Sequence, residues 1–240
     1  MPVVLDSGNY PPEAERLPSV GGFVDVSLEA VLALRPDLVI GARGPAGPSL
    51  AERLGARGIE TYFPPTESVI EIEKMILGLA GKVGRALDGE RLVAAQRVER
   101  REIQQQVAGQ SAIRTLLLVG AAPIVAAGRG SFLDEMLTLT GGKNVLENNN
   151  ATTSYPSLAL EQVLVLDPDV ILLVMSEDMA SLDGSEVWQR VRAVREKKTI
   201  RLAPDVLQRP GPRLNDGLRE LLRALHPELV APTPAPASSR

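Results

Sequence analysis

The sequence predicts an α/β protein of two Rossmann-like lobes with parallel sheets, joined by a single long connecting helix. One stretch is written twice: residues 26–40 and 158–172 share Leu-Glu-x-Val-Leu-x-Leu-x-Pro-Asp at a constant offset. Each copy reads as a short helix, a Pro-Asp break and a buried strand, so both halves of the chain hold the same unit. Helical and strand patterns alternate around these copies, the order of a doubly wound parallel sheet. Between them lies a highly charged run, residues 90–108, with neither Gly nor Pro. At 1.5 Å per residue it reaches about 30 Å, enough to run from one lobe to the other. An ordinary amphipathic surface helix is the alternative.

The elements follow in order. Residues 3–5 form a short apolar run that empties into the polar, proline-rich segment 6–12. Ser27 can cap a helix over 28–34, which Pro36 ends, and 38–40 is a strand. A helix over 49–58 closes on Gly58 before a strand at 59–63. Apolar residues at Val69, Ile72, Met75, Ile76 and Leu79 give a helix over 67–83, interrupted at Leu87-Asp-Gly89 before the charged helix. The second lobe opens with a strand at 113–119, a turn and a short strand at 124–126. A helix then leads to Gly141-Gly142. The second copy of the repeat, a helix over 186–194, a strand at 199–202 and a loop at 203–211 precede a last amphipathic helix over 213–225. The expected organisation is an N-terminal lobe at 1–85, the connecting helix at 86–110, a C-terminal lobe at 111–228 and a disordered, Pro-rich tail at 229–240.

Composition limits the chemistry. A formal charge of −4 with dispersed Lys and Arg offers no basic stripe, which argues against nucleic acid as a partner. No apolar run approaches the roughly 20 residues of a membrane span. The chain has no Cys and one His, His226, placed where it would meet a helix C-terminus. A thiol nucleophile is thereby excluded, and a Ser-His-Asp triad and a metal centre are disfavoured. The carboxylates are scattered, so catalytic and metal residues are expected to be none, and no cofactor is expected. The loop Gly128-Arg-Gly-Ser131 could cradle an anion but lacks the Gly-Lys-Ser/Thr of a phosphate loop.

Aromatic residues are scarce, with three Phe, three Tyr and one Trp. The repeat offset places Phe23 opposite Tyr155, each shortly before its helix. Loops at the carboxyl ends of parallel strands bind ligands, so the two rings are candidates for a cleft between the lobes. Stapling of the two helix N-termini is the other reading.

Asn9-Tyr-Pro-Pro-Glu-Ala14, Leu17-Pro-Ser-Val-Gly-Gly-Phe23, both copies of the repeat, Tyr155-Pro156 and Arg209-Pro-Gly-Pro-Arg213 together resemble the substrate-binding proteins of ABC importers for vitamin B12, iron-siderophores and haem. The resemblance covers nearly the whole chain, residues 3–228. It implies an extracytoplasmic, periplasmic location and capture of a metal-chelate nutrient in the inter-lobe cleft for delivery to a permease. A corrinoid, cobalamin, is favoured as ligand. A ferric siderophore, haem, or an enzyme or sensor on the same scaffold are the alternatives. By the resemblance, Tyr10, Phe23, Tyr155 and the loop Asp205 to Arg209 line the cleft, and Glu29 and Glu161 dock the permease, one per lobe. Arg43 and Arg209 are the basic candidates for an anionic ferric siderophore, with solvated arginines as the alternative.

The sequence departs from the family it resembles in two ways. Ala42 and Val206 stand where the vitamin B12 members have tryptophans, which removes stacking area, and Phe23 cannot coordinate haem iron. The family also begins with a strand and helix ahead of residues 3–5. One β-α unit of about 25–30 residues is therefore expected to be missing, leaving an exposed sheet edge that a homodimer would cover unless the chain is shortened.

Overall fold

A computed structural model describes residues 11–22, 25–43, 47–148, 153–175 and 185–230. The chain divides into two compact units, Met1–Thr66 and Glu67–Arg240. In the first, α1 (Leu28–Ala33) leads to β1 (Leu38–Ile40), and α2 (Gly47–Gly55) leads to β2 (Glu60–Tyr62). The two strands are parallel, with Val39 opposite Thr61. Ser27 caps α1 by accepting from the Ala30 amide at 3.2 Å, which satisfies one of the free N–H groups of a helix start. Leu28 and Val31 of α1 and Leu50 and Leu54 of α2 bury the face that meets the strands.

In the second unit, α3 (Val69–Lys82) and α4 (Ala86–Val107) precede β3 (Ile113–Ala121), β4 (Ile124–Ala126), α5 (Phe132–Leu139) and β5 (Gly142–Asn144). Then come α6 (Leu160–Leu166), β6 (Val170–Leu173), α7 (Arg192–Arg195), β7 (Thr199–Arg201), α8 (Pro204–Leu207) and α9 (Leu214–Leu225). The sheet order is β4-β3-β6-β7, with β5 also pairing β3. The β3–β5, β3–β6 and β6–β7 pairs are parallel, and only β4 runs antiparallel. Side chains alternate across the sheet with the period of two that strands impose. Leu117, Leu172 and Val174 enter one core with α3, α4, α5 and α9, whereas Leu116, Leu118, Ile171 and Leu173 enter another with Val163 and Val191. A parallel sheet covered on both faces explains why these strands read as unbroken apolar runs.

The repeat is structural as well as sequential. α1 and β1 start at the positions equivalent to the starts of α6 and β6, each of which runs one residue further, and the residues that leave the two helices, Arg35 and Asp167, both take left-handed backbone at φ 48° and 40°. Asp167 and Asp169 are tied to Arg192 at 3.1 and 2.7 Å, which clamps the α6–β6 turn to α7.

Three expectations change. First, α4 starts at Ala86 and runs through Gly89, so Leu87-Asp-Gly does not interrupt it. Gly89 is buried against α3, where a Cβ would lie 2.5 Å from the Ala80 Cβ, and its missing side chain is what lets the two helices approach. The break falls instead at Gly84, with φ 70°. Second, the compact division falls at Thr66 rather than at residue 85, because α3 shares a core with α4, α5 and α9 through Val69, Ile72 and Ile76. Third, the helix expected over 186–194 is a 3-10 turn, Trp188–Arg190, followed by the single turn of α7. The tail expected to be disordered lies outside the described residues beyond 230. No helix among the described residues is long and apolar enough to cross a membrane.

Candidate functional site

In the first unit the loops that leave β1 and β2 are joined to each other. Arg43 follows β1, is exposed, and donates from Nε to the carbonyl of Phe63 just beyond β2 at 3.2 Å. The Phe63 ring lies over Gly41, where any Cβ would collide with it, and it also meets Gly47 at the start of α2. Phe63 thus holds the two strand-end loops and the α2 N-terminus together, a role that sequence reasoning missed. Its signal was available: a rare aromatic directly after a strand and before Pro64-Pro65. The other expected residues of this unit, Tyr10 and Phe23, lie outside the described residues.

In the second unit Tyr155 is half-buried and packs against the core that contains α5 and α9. The 154–158 segment runs beside β4: the Ala126 amide donates to the Pro156 carbonyl at 3.1 Å, and the Gly128 amide donates to that of Ser154 at 2.8 Å. Burial, and then the Glu67 carboxylate, push the Tyr155 hydroxyl up to about 12, while a hydrogen bond with Ser131 works in the opposite direction. Tyr155 is therefore a neutral phenol across the physiological range. A raised tyrosine contributes stability that is fully present below its unfolded value of about 10 and is lost as pH rises toward 12. Absorbance titration should show a tyrosine component ionising near pH 12 that Tyr155→Phe removes; persistence of that component in the variant would contradict this placement.

The loop after β7 carries the other two expected residues. Asp205 in α8 and Arg209 pair at 3.3 Å, and both side chains are partly exposed. The loop is pinned at several points. Gln208 donates to the carbonyl of Val174, at the end of β6, at 2.6 Å, and the Ala203 amide donates to Glu220 at 3.0 Å. Arg213 donates to the Asp205 carbonyl at 3.3 Å, and Leu207 is fully buried. Gly217 of α9 completes the seat, since a Cβ there would lie 2.8 Å from the Val206 carbonyl oxygen.

The docking candidates behave alike. Glu29 and Glu161 occupy the first turns of α1 and α6, are exposed, and have no hydrogen-bond or ion-pair partner among the described residues. Neither is needed as a cap, because Ser27 caps α1 and the Gln162 side chain accepts from the Ala159 amide at 2.8 Å. His226 is the C-cap of α9, as its position predicts, with its amide donating to the Leu222 carbonyl at 2.8 Å; the side chain is buried, and its Nε2 has no partner among the described residues. No group of His, Cys, Asp and Glu that could hold a metal ion occurs among the described residues.

These features define an α/β protein with parallel-dominated sheets, of the class that offers ligands the loops at the carboxyl ends of its strands. The chain belongs to the periplasmic binding protein family, whose sequence profile matches residues 5–206. The vitamin B12-binding protein of Vibrio cholerae serotype O1 is 29% identical over 223 residues, which cover 91% of this chain and 78% of that relative. Among solved structures, the periplasmic vitamin B12 binding protein BtuF of Vibrio cholerae aligns with a TM-score of 0.80 at 27% identity, covering 93% of this chain and 87% of that one. A periplasmic haem-binding protein of Pseudomonas aeruginosa aligns with a TM-score of 0.81 at 27% identity, covering 93% and 84%. None of these comparisons supports the expected homodimer.

Proposed function

We propose that this chain is an extracytoplasmic substrate-binding protein that captures a metal-chelate nutrient, a corrinoid in first place, and delivers it to an ABC importer permease. The observation that carries the proposal is the matched pair of exposed, partnerless glutamates, Glu29 and Glu161, at the same position of a repeated helix-strand unit. Charge placed identically in two units and unused within either suits recognition by a partner of opposite charge. Tyr10, Phe23 and Arg43 of the first unit and Tyr155, Asp205 and Arg209 of the second are the proposed ligand residues. The chelate is the bound cargo, and no resident cofactor belongs to the proposal. The 29% identity to a vitamin B12-binding protein supports a corrinoid. Haem is the second reading, supported by equal identity and a comparable TM-score to a haem-binding structure.

Native mass spectrometry with an equimolar mixture of cyanocobalamin, dicyanocobinamide, hemin and a ferric siderophore discriminates among these. A single corrinoid adduct is expected. A hemin or siderophore adduct moves the assignment within the family, and chemical turnover of any component favours an enzyme on this scaffold.

A further inference from the structure

Gln96 lies in the middle of α4, among charged neighbours, yet it is only 5% exposed. Its Nε2 donates to the carbonyl of Pro212 at 2.7 Å, and its Oε1 has no hydrogen-bond partner among the described residues. An amide buried with half its hydrogen-bonding capacity unmet is costly, so packing alone would favour an apolar side chain here. What the donor half holds is the end of the 203–213 loop, which carries the Asp205–Arg209 pair. The surrounding polar groups fix Gln96 itself. Asn215 of α9 donates to the Gln96 carbonyl at 3.0 Å and to Glu99 at 2.7 Å, and Arg100 donates to Asn215 at 3.4 Å.

We infer that Gln96 is a positioning residue for ligand recognition, which holds the Pro212 carbonyl and thereby sets the register of the loop that presents Asp205 and Arg209. The inference rests on the proposed ligand role of that loop. Gln208 and Gly217 fix the loop's middle to β6 and α9; Gln96 fixes its far end to α4.

Gln96→Glu tests it. At pH 7.5 a carboxylate cannot donate to Pro212 and repels its carbonyl, so cyanocobalamin affinity should fall about tenfold, the value of one well-placed hydrogen bond. Burial raises a carboxyl above its ordinary value, so acidification toward pH 5 protonates the new side chain, restores a donor and should restore affinity. Wild-type affinity should stay level over the same interval. Hydrogen exchange of the 203–213 amides, as the ratio of variant to wild type at each pH, should rise at pH 7.5 and return to unity on acidification, whether or not ligand is present. A merely structural role would lower the melting temperature while leaving ligand affinity and the exchange of the 203–213 amides at their wild-type values. Wild-type affinity and exchange at pH 7.5, or losses that acid does not reverse, would overturn the inference. If Gln96→Glu does not fold, Gln96→Met keeps the volume without the donor, and unchanged affinity and exchange in that variant would overturn it equally. Wild-type protein that binds no chelate refutes the functional reading instead, and the exchange ratio still decides the role of Gln96.

Discussion

Glu29→Arg combined with Glu161→Arg is expected to abolish permease-dependent uptake while leaving ligand affinity at the wild-type level. Both carboxylates project from the first turn of a short helix, are exposed, and have no partner among the described residues. Reversal therefore breaks no described contact within the protein. The first turn of a helix favours negative charge, so each arginine costs about 0.3–1 kcal/mol of local stability, too little to unfold a unit. At a docking surface the same change turns attraction into like-charge repulsion, which costs several kcal/mol. Either single reversal should give an intermediate loss, because one unit still engages. Uptake of labelled cyanocobalamin into vesicles that hold the permease, measured beside equilibrium binding, reads both quantities. Unchanged uptake in the double variant would refute the docking role.

Glu73→Ala should be among the most destabilising single substitutions in the chain. Glu73 is 3% exposed on α3, accepts from Arg97 at 2.6 Å, and pairs with Arg100, itself 7% exposed on α4. Its removal strands the Arg100 guanidinium in a low-dielectric layer, and breaking a buried pair in this way costs about 3–5 kcal/mol. The melting temperature should fall by about 6–20 °C. Arg97→Met should lose far less, because that side chain is half-exposed and Arg100 still satisfies Glu73. The paired replacement Glu73→Leu with Arg100→Met should recover most of the loss, since apolar residues of similar volume substitute for a buried pair at little cost. Equal melting temperatures for Glu73→Ala and Arg97→Met would show that burial does not set the strength of this cluster.

The repeat was the most legible feature of the chain, because it specifies helix, turn and strand together. Ser27, Pro36 and the apolar spacing of Leu28, Val31 and Leu32 left little freedom in the first copy. The matching left-handed residues Arg35 and Asp167 were not legible, since neither is the Gly or Asn that usually marks such a position. Gly89 was misread for the converse reason. A glycine in a charged helix signals a break locally, yet here close approach of α3 overrides propensity. Strand β5 carries the pattern Gly-Lys-Asn, which has no apolar alternation; it is fixed by Asn144, whose side chain donates to Ala127 and Asp134 and accepts from Leu146. The division at Thr66 was hidden because α3 has an apolar face that could cover a core in either unit.

The candidate site was legible unevenly. Asp205 and Arg209 came from the family resemblance and Arg43 from its charge, and Arg43 follows β1 while Asp205 and Arg209 lie in and after the short helix α8 beyond β7, whereas Phe63 needed only the observation of a rare aromatic after a strand. Gln96 and Gly217 gave no signal at all. A glutamine among charges reads as solvent-facing and a helical glycine reads as weakness; only the tertiary placement of Pro212 and Val206 gives either a purpose.

The most direct test of the central claim is calorimetric titration of the purified chain with cyanocobalamin. Saturable one-to-one binding that weakens in Arg209→Ala and is unaffected by the double reversal of Glu29 and Glu161 is the predicted result. Absence of binding to cyanocobalamin, dicyanocobinamide, hemin and a ferric siderophore alike would contradict it.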